Sequence, residues 1–162
     1  MIDSEEYQKA KRALLYRLSR QALHSRVAKK WLQTKGFSPA IVEAVTTSLQ
    51  EKGFIQDEEW LKSYIGSKKQ KYGPRRLQQN LRLKGIDLPI SAFSTSPEKA
   101  IASLVSLLET RYRSKNLSNP KDRFSVFTAL IRRGFDGAVI QQAFALRGQD
   151  HTVCTSSAKT LF

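Results

Sequence analysis

The sequence predicts an all-α protein made of three tandem three-helix repeats, and three observations carry that prediction. First, Lys35-Gly36-Phe37, Lys84-Gly85-Ile86 and Arg133-Gly134-Phe135 repeat one basic-Gly-apolar tripeptide, with the glycines 49 residues apart. Four positions before each glycine stands Leu32, Leu81 or Leu130, eight before stands Ala28, Leu77 or Val126, and five after stands Ile41, Ile90 or Val139. Self-similarity at a fixed period is the mark of a repeat architecture. Second, apolar stripes fall at helical spacing in Ile41, Val45, Leu49, in Ile101, Leu104, Val105, Leu108, Tyr112, and in Phe124, Phe127, Leu130, Ile131. Nothing alternates with period two for long enough to suggest a sheet. Third, Ser38-Pro39, Ser96-Pro97 and Asn119-Pro120 each set a capping side chain before a proline at the first helical position.

The first repeat spans 5–52. Gly36 turns its second helix into its third, as the left-handed residue that ends a helix, and Gly53 ends the third in the same way. The second repeat spans 54–94. Asp57, Glu58 and Glu59 complement the dipole at the start of its first helix, with Asp57 as a cap. Trp60, Leu61, Tyr64 and Ile65 share one face, which places Trp60 and Tyr64, with Trp31, in the core. Pro74 opens the next helix, Gly85 closes it, and Ile90 to Phe93 is the third. After the linker Ser94-Thr95-Ser96, the third repeat spans 97–147, with a loop at Asn116 to Pro120 and its turn at Gly134. Residues 148–162 are polar, lack apolar periodicity and read as a mobile tail. Units this small bury little surface and gain support by stacking. The expectation is an elongated array, curved or straight, whose concave side suits a filamentous partner.

Charge narrows the function. The chain carries 28 Lys and Arg against 14 Asp and Glu, a net charge of +14 and a pI near 10.2, which points to a polyanionic partner. Nine basic residues and no acid lie between Gln8 and Lys35, and eight basic residues and no acid between Trp60 and Ile86. The single cysteine, Cys154, excludes an internal disulfide framework, and no Cys/His pair has zinc-ligand spacing. The acidic start lacks the order of a signal peptide, and the longest nearly apolar stretch, Ala100 to Leu108, is too short to span a bilayer. The expectation is a soluble cytoplasmic monomer with no membrane, metal or cofactor.

Within the second basic block, Lys68, Lys69, Lys71, Arg75 and Arg76 form the strongest candidate surface: lysines offer point charges, arginines offer forks for phosphate or carboxylate. Pro74 starts a helix there, so backbone N–H groups near Arg75 and Arg76 could also meet an anion. Arg82, Lys84, Arg26, Lys29 and Lys30 extend the surface. The competing reading is a solvated turn. Tyr72 could stack on a base, although an aromatic before Gly-Pro more often plugs a helix junction. His24 has no carboxylate partner near it in sequence, and neither a Walker loop nor Gly-x-Ser-x-Gly occurs. No catalytic residue is predicted.

The central block carries a resemblance. Gly53-Phe54-Ile55-Gln56-Asp57-Glu58-Glu59-Trp60, Tyr64-Ile65-Gly66-Ser67-Lys68, Lys71-Tyr72-Gly73-Pro74-Arg75-Arg76-Leu77 and Leu81-Arg82-Leu83-Lys84-Gly85-Ile86 together resemble the RecX family. His24-Ser25-Arg26 and Leu32-Gln33-Thr34-Lys35-Gly36-Phe37 look like that family's first repeat. The likeness is good over about Leu14 to Ile90 and weak in the third repeat. It implies a negative regulator of the RecA recombinase, active in DNA repair, recombination and the SOS response. Such a protein binds the groove of the RecA–DNA filament and restrains filament growth, strand exchange and ATP hydrolysis, with modest affinity for DNA itself. The alternative from the residues alone is a stand-alone DNA-binding protein using helix-turn-helix elements at Gly36, Gly85 or Gly134. Few Arg, Asn or Gln side chains on the third helices stand ready to read base edges. An RNA-binding helical repeat is a weaker third reading.

Overall fold

The computed structural model describes residues 4–156, with side chains from Glu5 to Gly148. Eight α-helices and one 3-10 turn make up the described chain, which contains no strand. In order they are α1 (Ser4–Arg20), α2 (Ser25–Thr34), α3 (Pro39–Glu51), α4 (Asp57–Lys68), α5 (Pro74–Leu83), the 3-10 turn (Ile90–Phe93), α6 (Pro97–Arg111), α7 (Pro120–Arg132) and α8 (Gly137–Ser156). The chain divides into two compact units, one reaching to Gly66 and including Leu81–Asp87, the other comprising Ser67–Asn80 and the chain from Leu88.

The repeated columns have a backbone explanation. Gly36, Gly85 and Gly134 have φ of 88°, 80° and 85°, and no non-glycine residue among those described has a positive φ. At each turn the residue after the glycine donates its N–H to the carbonyl of the column leucine: Phe37 to Leu32 at 3.3 Å, Ile86 to Leu81 at 2.9 Å, Phe135 to Leu130 at 3.3 Å. The glycine N–H reaches the next carbonyl along, Gln33, Arg82 or Ile131, at 2.9 Å in all three. This pair of bonds is the Schellman motif, which satisfies carbonyls that a helix end leaves orphaned. The leucines serve twice, since their side chains are also fully buried. The apolar residue after the glycine packs back on the helix it ends. Lys35, Lys84 and Arg133 sit where a cation meets the negative end of the helix dipole.

In the first unit α3 packs on α1 and α2, closing a core of Leu14, Leu23, Leu32, Ile41, Val45 and Leu49. In the second unit α8 packs on α6 and α7 around Leu104, Leu108, Val126, Leu130, Ile140 and Phe144. Each fully buried leucine or isoleucine stabilises by roughly 1.5–3 kcal/mol. Arg147 is buried in the second unit. Its Nη2 donates to the carbonyls of Tyr112, Arg113 and Lys115 at 3.2–3.4 Å, holding the chain that leaves α6.

Several sequence expectations need correction. The segment Ile90–Phe93 is a single 3-10 turn, because Pro89 and the Ser94-Thr95-Ser96-Pro97 linker leave too few residues to nucleate an α-helix. Ser38 makes no side-chain cap bond; Glu6 of α1 accepts the Ser38 N–H instead, at 3.1 Å. Asn119 and Ser96 do cap as expected, accepting from Lys121 at 3.0 Å and Lys99 at 3.4 Å. α8 runs past Arg147 to Ser156, where a tail was expected. One glycine in a helix costs about 1 kcal/mol, so Gly148 does not stop it, and no proline follows. The rest of that expected tail, 157–162, lies outside the described residues. Trp31, Trp60 and Tyr64 lie at the edge of the core and are only partly buried. Trp31 lies under the Arg17 guanidinium at 4.8 Å, and Trp60 stacks on Tyr64 at 4.9 Å.

Candidate basic binding surface

In the second unit the basic run is shaped by a close approach of two backbones. α4 ends with the N–H groups of Lys71 and Tyr72 both on the Lys68 carbonyl, at 2.9 and 3.0 Å. The following Gly73 donates its N–H to the Arg133 carbonyl at 2.9 Å. The Arg133 guanidinium returns a bond to the Lys71 carbonyl at 3.1 Å. A Cβ on Gly73 would lie 2.3 Å from the Gly134 carbonyl oxygen, and one on Gly134 would lie 2.3 Å from the Arg76 nitrogen. Only a pair of glycines permits that approach. It also sets the Arg76 backbone nitrogen, at the first turn of α5, against Gly134.

The contact brings together cations that are far apart in the chain. Tyr72, Arg76, Arg111, Tyr112, Arg132 and Arg133, floored by Ala129, line an open cleft of about 680 Å3 in which no carboxylate takes part. Arg111 and Arg132 form no ion pair among the described residues. The Arg76 guanidinium donates to Gln79 at 3.1 Å. Lys69, Lys71, Arg75 and Arg76 are exposed and Lys68 is half-buried. Arg75 has Asp136 at 3.8 Å, both well exposed, a pairing that contributes little. Sequence reading found Arg76 and missed Arg111, Arg132 and Arg133, since three basic residues spread over 23 positions form no run; the available signal was glycine at both 73 and 134.

The first unit holds the other candidates. Lys29 pairs with Glu43 at 2.6 Å and Arg82 with Asp87 at 2.8 Å, so neither offers a free charge. Arg26 is exposed. Lys30 and Lys84 meet at a shallow pocket of about 220 Å3 with Val27, Trp31, Thr34 and Leu83. The structure therefore gathers the predicted residues into two groups, one in each unit.

A polar cluster in the first unit was not foreseen. Asp57 accepts the Ser25 N–H at 2.7 Å and the Ser25 hydroxyl, so it caps α2 rather than its own helix. His24 caps the same helix end, its Nδ1 accepting from the Arg26 N–H at 3.1 Å. Asp57 lies 3.6 Å from that nitrogen. Burial pushes the His24 pKa below 6.5, against the opposing pull of Asp57 and with a smaller push from Arg26. The neutral ring therefore acts as an acceptor. Ser25 is buried and its hydroxyl donates to the carboxylate, not to the imidazole. The trio thus lacks the geometry by which a histidine activates a serine. Among the described residues no group of His, Cys, Asp and Glu could hold a metal, and no helix is long and apolar enough to cross a membrane.

Comparison with known proteins finds one recurring name. Proteins named regulatory protein RecX from Leptothrix cholodnii and Thermus thermophilus are each 25% identical, over 86% and 82% of this chain and 89% and 84% of their own lengths. The chain is thus similar to RecX proteins over most of its length. A RecX relative from Lacticaseibacillus paracasei is 28% identical over 79% of this chain, which spans 56% of that longer protein. The RecX crystal structure from Lactobacillus salivarius superposes with a TM-score of 0.71 over 88% of this chain at 20% identity. A second RecX crystal structure gives 0.64 over 85% at 24% identity. No protein-family model matches the chain.

Proposed function

We propose that this chain is a RecX-family protein and a negative regulator of the RecA recombinase. It binds the groove of the RecA–DNA filament as a monomer in the cytoplasm and restrains filament growth, strand exchange and ATP hydrolysis. It does so by binding, with no cofactor and no catalysis of its own. The observation that carries the reading is the likeness to proteins named regulatory protein RecX, which match most of the chain. The two groups of cations support it, as does the shared glycine turn, which argues for three homologous repeats presenting one surface type at intervals. Lys68, Lys69, Lys71, Arg76 and Arg26, Lys30, Lys84 supply the charge, with Arg75 only loosely engaged by Asp136; Lys29 and Arg82 are held by acids.

The test is a reconstituted RecA ATPase and strand-exchange assay on single-stranded DNA, with and without this protein. Inhibition at substoichiometric protein supports the reading; unchanged turnover and exchange sink it. ATP turnover by the purified protein alone would overturn the non-catalytic part. Replacing Lys68, Lys69, Lys71, Arg75 and Arg76 together by Ala should leave the fold intact and weaken inhibition. If those side chains meet phosphates, the salt dependence of bare-DNA binding falls by about 0.7–0.9 log unit per lost contact. If they meet acids on RecA, inhibition falls while that slope stays.

A further inference from the structure

We propose that the arginine cleft of the second unit is a binding site for single-stranded nucleic acid, with phosphates on Arg76, Arg111 and Arg132 and a base against Tyr72 or Tyr112. The proposal shares with the functional reading only the premise that the basic surface meets a polyanion. It adds where, and in what form.

Three features of the cleft argue for this ligand. Its cations are all arginines, whose planar forks match a phosphate with two parallel bonds. Arg111 and Arg132 have no acidic partner among the described residues, and no carboxylate lines the cleft, so a bound anion displaces nothing. Two phenol rings, both partly exposed, share the cleft with them. Cations tracking a backbone beside aromatic platforms for unstacked bases is how sequence-tolerant single-strand binders work. In a duplex the base faces are already stacked and could not use those rings. An acidic peptide could satisfy the guanidinium groups but has no use for paired phenols. Arg133 adds charge, but its guanidinium is committed to the Lys71 carbonyl.

The cleft exists only because Gly73 and Gly134 touch, so it joins the turn after α4 to the ends of α6 and α7. Tyr72, which the sequence alone assigns to a helix junction, is then positioned for both purposes.

The experiment uses the whole chain, no recombinase, and a fluorescent oligo-dT titrated by anisotropy over a range of salt. Arg111→Gln with Arg132→Gln should lower affinity and reduce the salt slope by about 1.4 log units per log unit of salt, two single-strand contacts' worth. A charge-matched control, Lys52→Gln with Lys99→Gln, should leave the slope unchanged. Wild type should bind oligo-dT about fivefold or more tightly than an abasic strand with the same number of phosphates, and Tyr72→Leu should erase that preference. An unchanged slope in the arginine variant overturns the proposal. So does tighter binding to a duplex of equal length, or a variant that loses affinity for a poly-glutamate peptide while keeping oligo-dT. Because no RecA is present, a protein that passes here yet fails to inhibit RecA refutes the regulatory reading and leaves this one standing. The reverse result refutes only the cleft.

Discussion

The two units tie distant stretches of chain together by different means. In the first, the start of α2 is fastened to the start of α4 by side chains: Asp57 on the Ser25 N–H and hydroxyl, beside a buried His24. In the second, the turn before α5 is fastened to the turn after α7 by backbone: Gly73 on the Arg133 carbonyl, with no Cβ on either facing glycine. A side-chain fastening depends on protonation and tolerates reshaping by repacking. A backbone fastening is indifferent to pH and intolerant of one added methyl group.

That contrast can be broken by substitution. The largest effect is expected at Gly134→Ala, which combines a left-handed φ with a Cβ placed 2.3 Å from the Arg76 nitrogen. The loss should be about 3–4 kcal/mol, read from urea denaturation. Gly73→Ala separates the two causes, because Gly73 lacks the positive φ yet meets the Gly134 carbonyl at 2.3 Å. A loss of about 2–3 kcal/mol is expected from overpacking alone; a loss below about 0.5 kcal/mol would show that the contact yields easily.

On the side-chain fastening, Asp57→Ala leaves the Ser25 N–H and hydroxyl without their acceptor, at a cost of about 1–3 kcal/mol. Gly36→Ala and Gly85→Ala pay for φ only, since a Cβ at either meets nothing within 4 Å. About 1–2 kcal/mol is expected for each. A loss at Gly36 equal to that at Gly134 would erase the distinction between an open turn and a packed one.

The smallest effect is a pH dependence confined to the first unit. The fold holds His24 neutral, with its pKa below the unfolded 6.5. The unfolded chain therefore takes up the proton first as pH falls. The His24 contribution is complete above 6.5 and drains away as pH drops through the lowered folded value. His24→Asn keeps a capping acceptor without a titrating group, so its stability should vary less between pH 7 and pH 5 than that of wild type. An identical pH profile would remove His24 as the cause.

This contrast also marks what the sequence could disclose. The glycine and leucine columns were legible because a Schellman turn needs an αL residue, an acceptor four places back and an apolar residue next, all within one short window. The basic run at Lys68 to Arg76 was legible for the same reason of locality. Asp57 on Ser25 was not, because the partners lie 32 residues apart and neither forms a motif. Nor was the arrival of Arg111 and Arg132 beside Arg76, which depends on a backbone contact across some 60 residues. The chain after the Gly85 turn forms one 3-10 turn where a helix was expected, because Pro89 and the Ser-rich linker outweigh the column isoleucine.

The Gly73 amide offers a way to watch the second unit from within. Its proton is donated across to Arg133 in a buried position, so it exchanges with solvent only when the two turns part. A glycine amide falls in a sparsely populated region of a nitrogen–proton correlation spectrum. One resonance would therefore time the opening of the arginine cleft. Its slowing on addition of oligo-dT would measure how far a bound strand holds those turns closed.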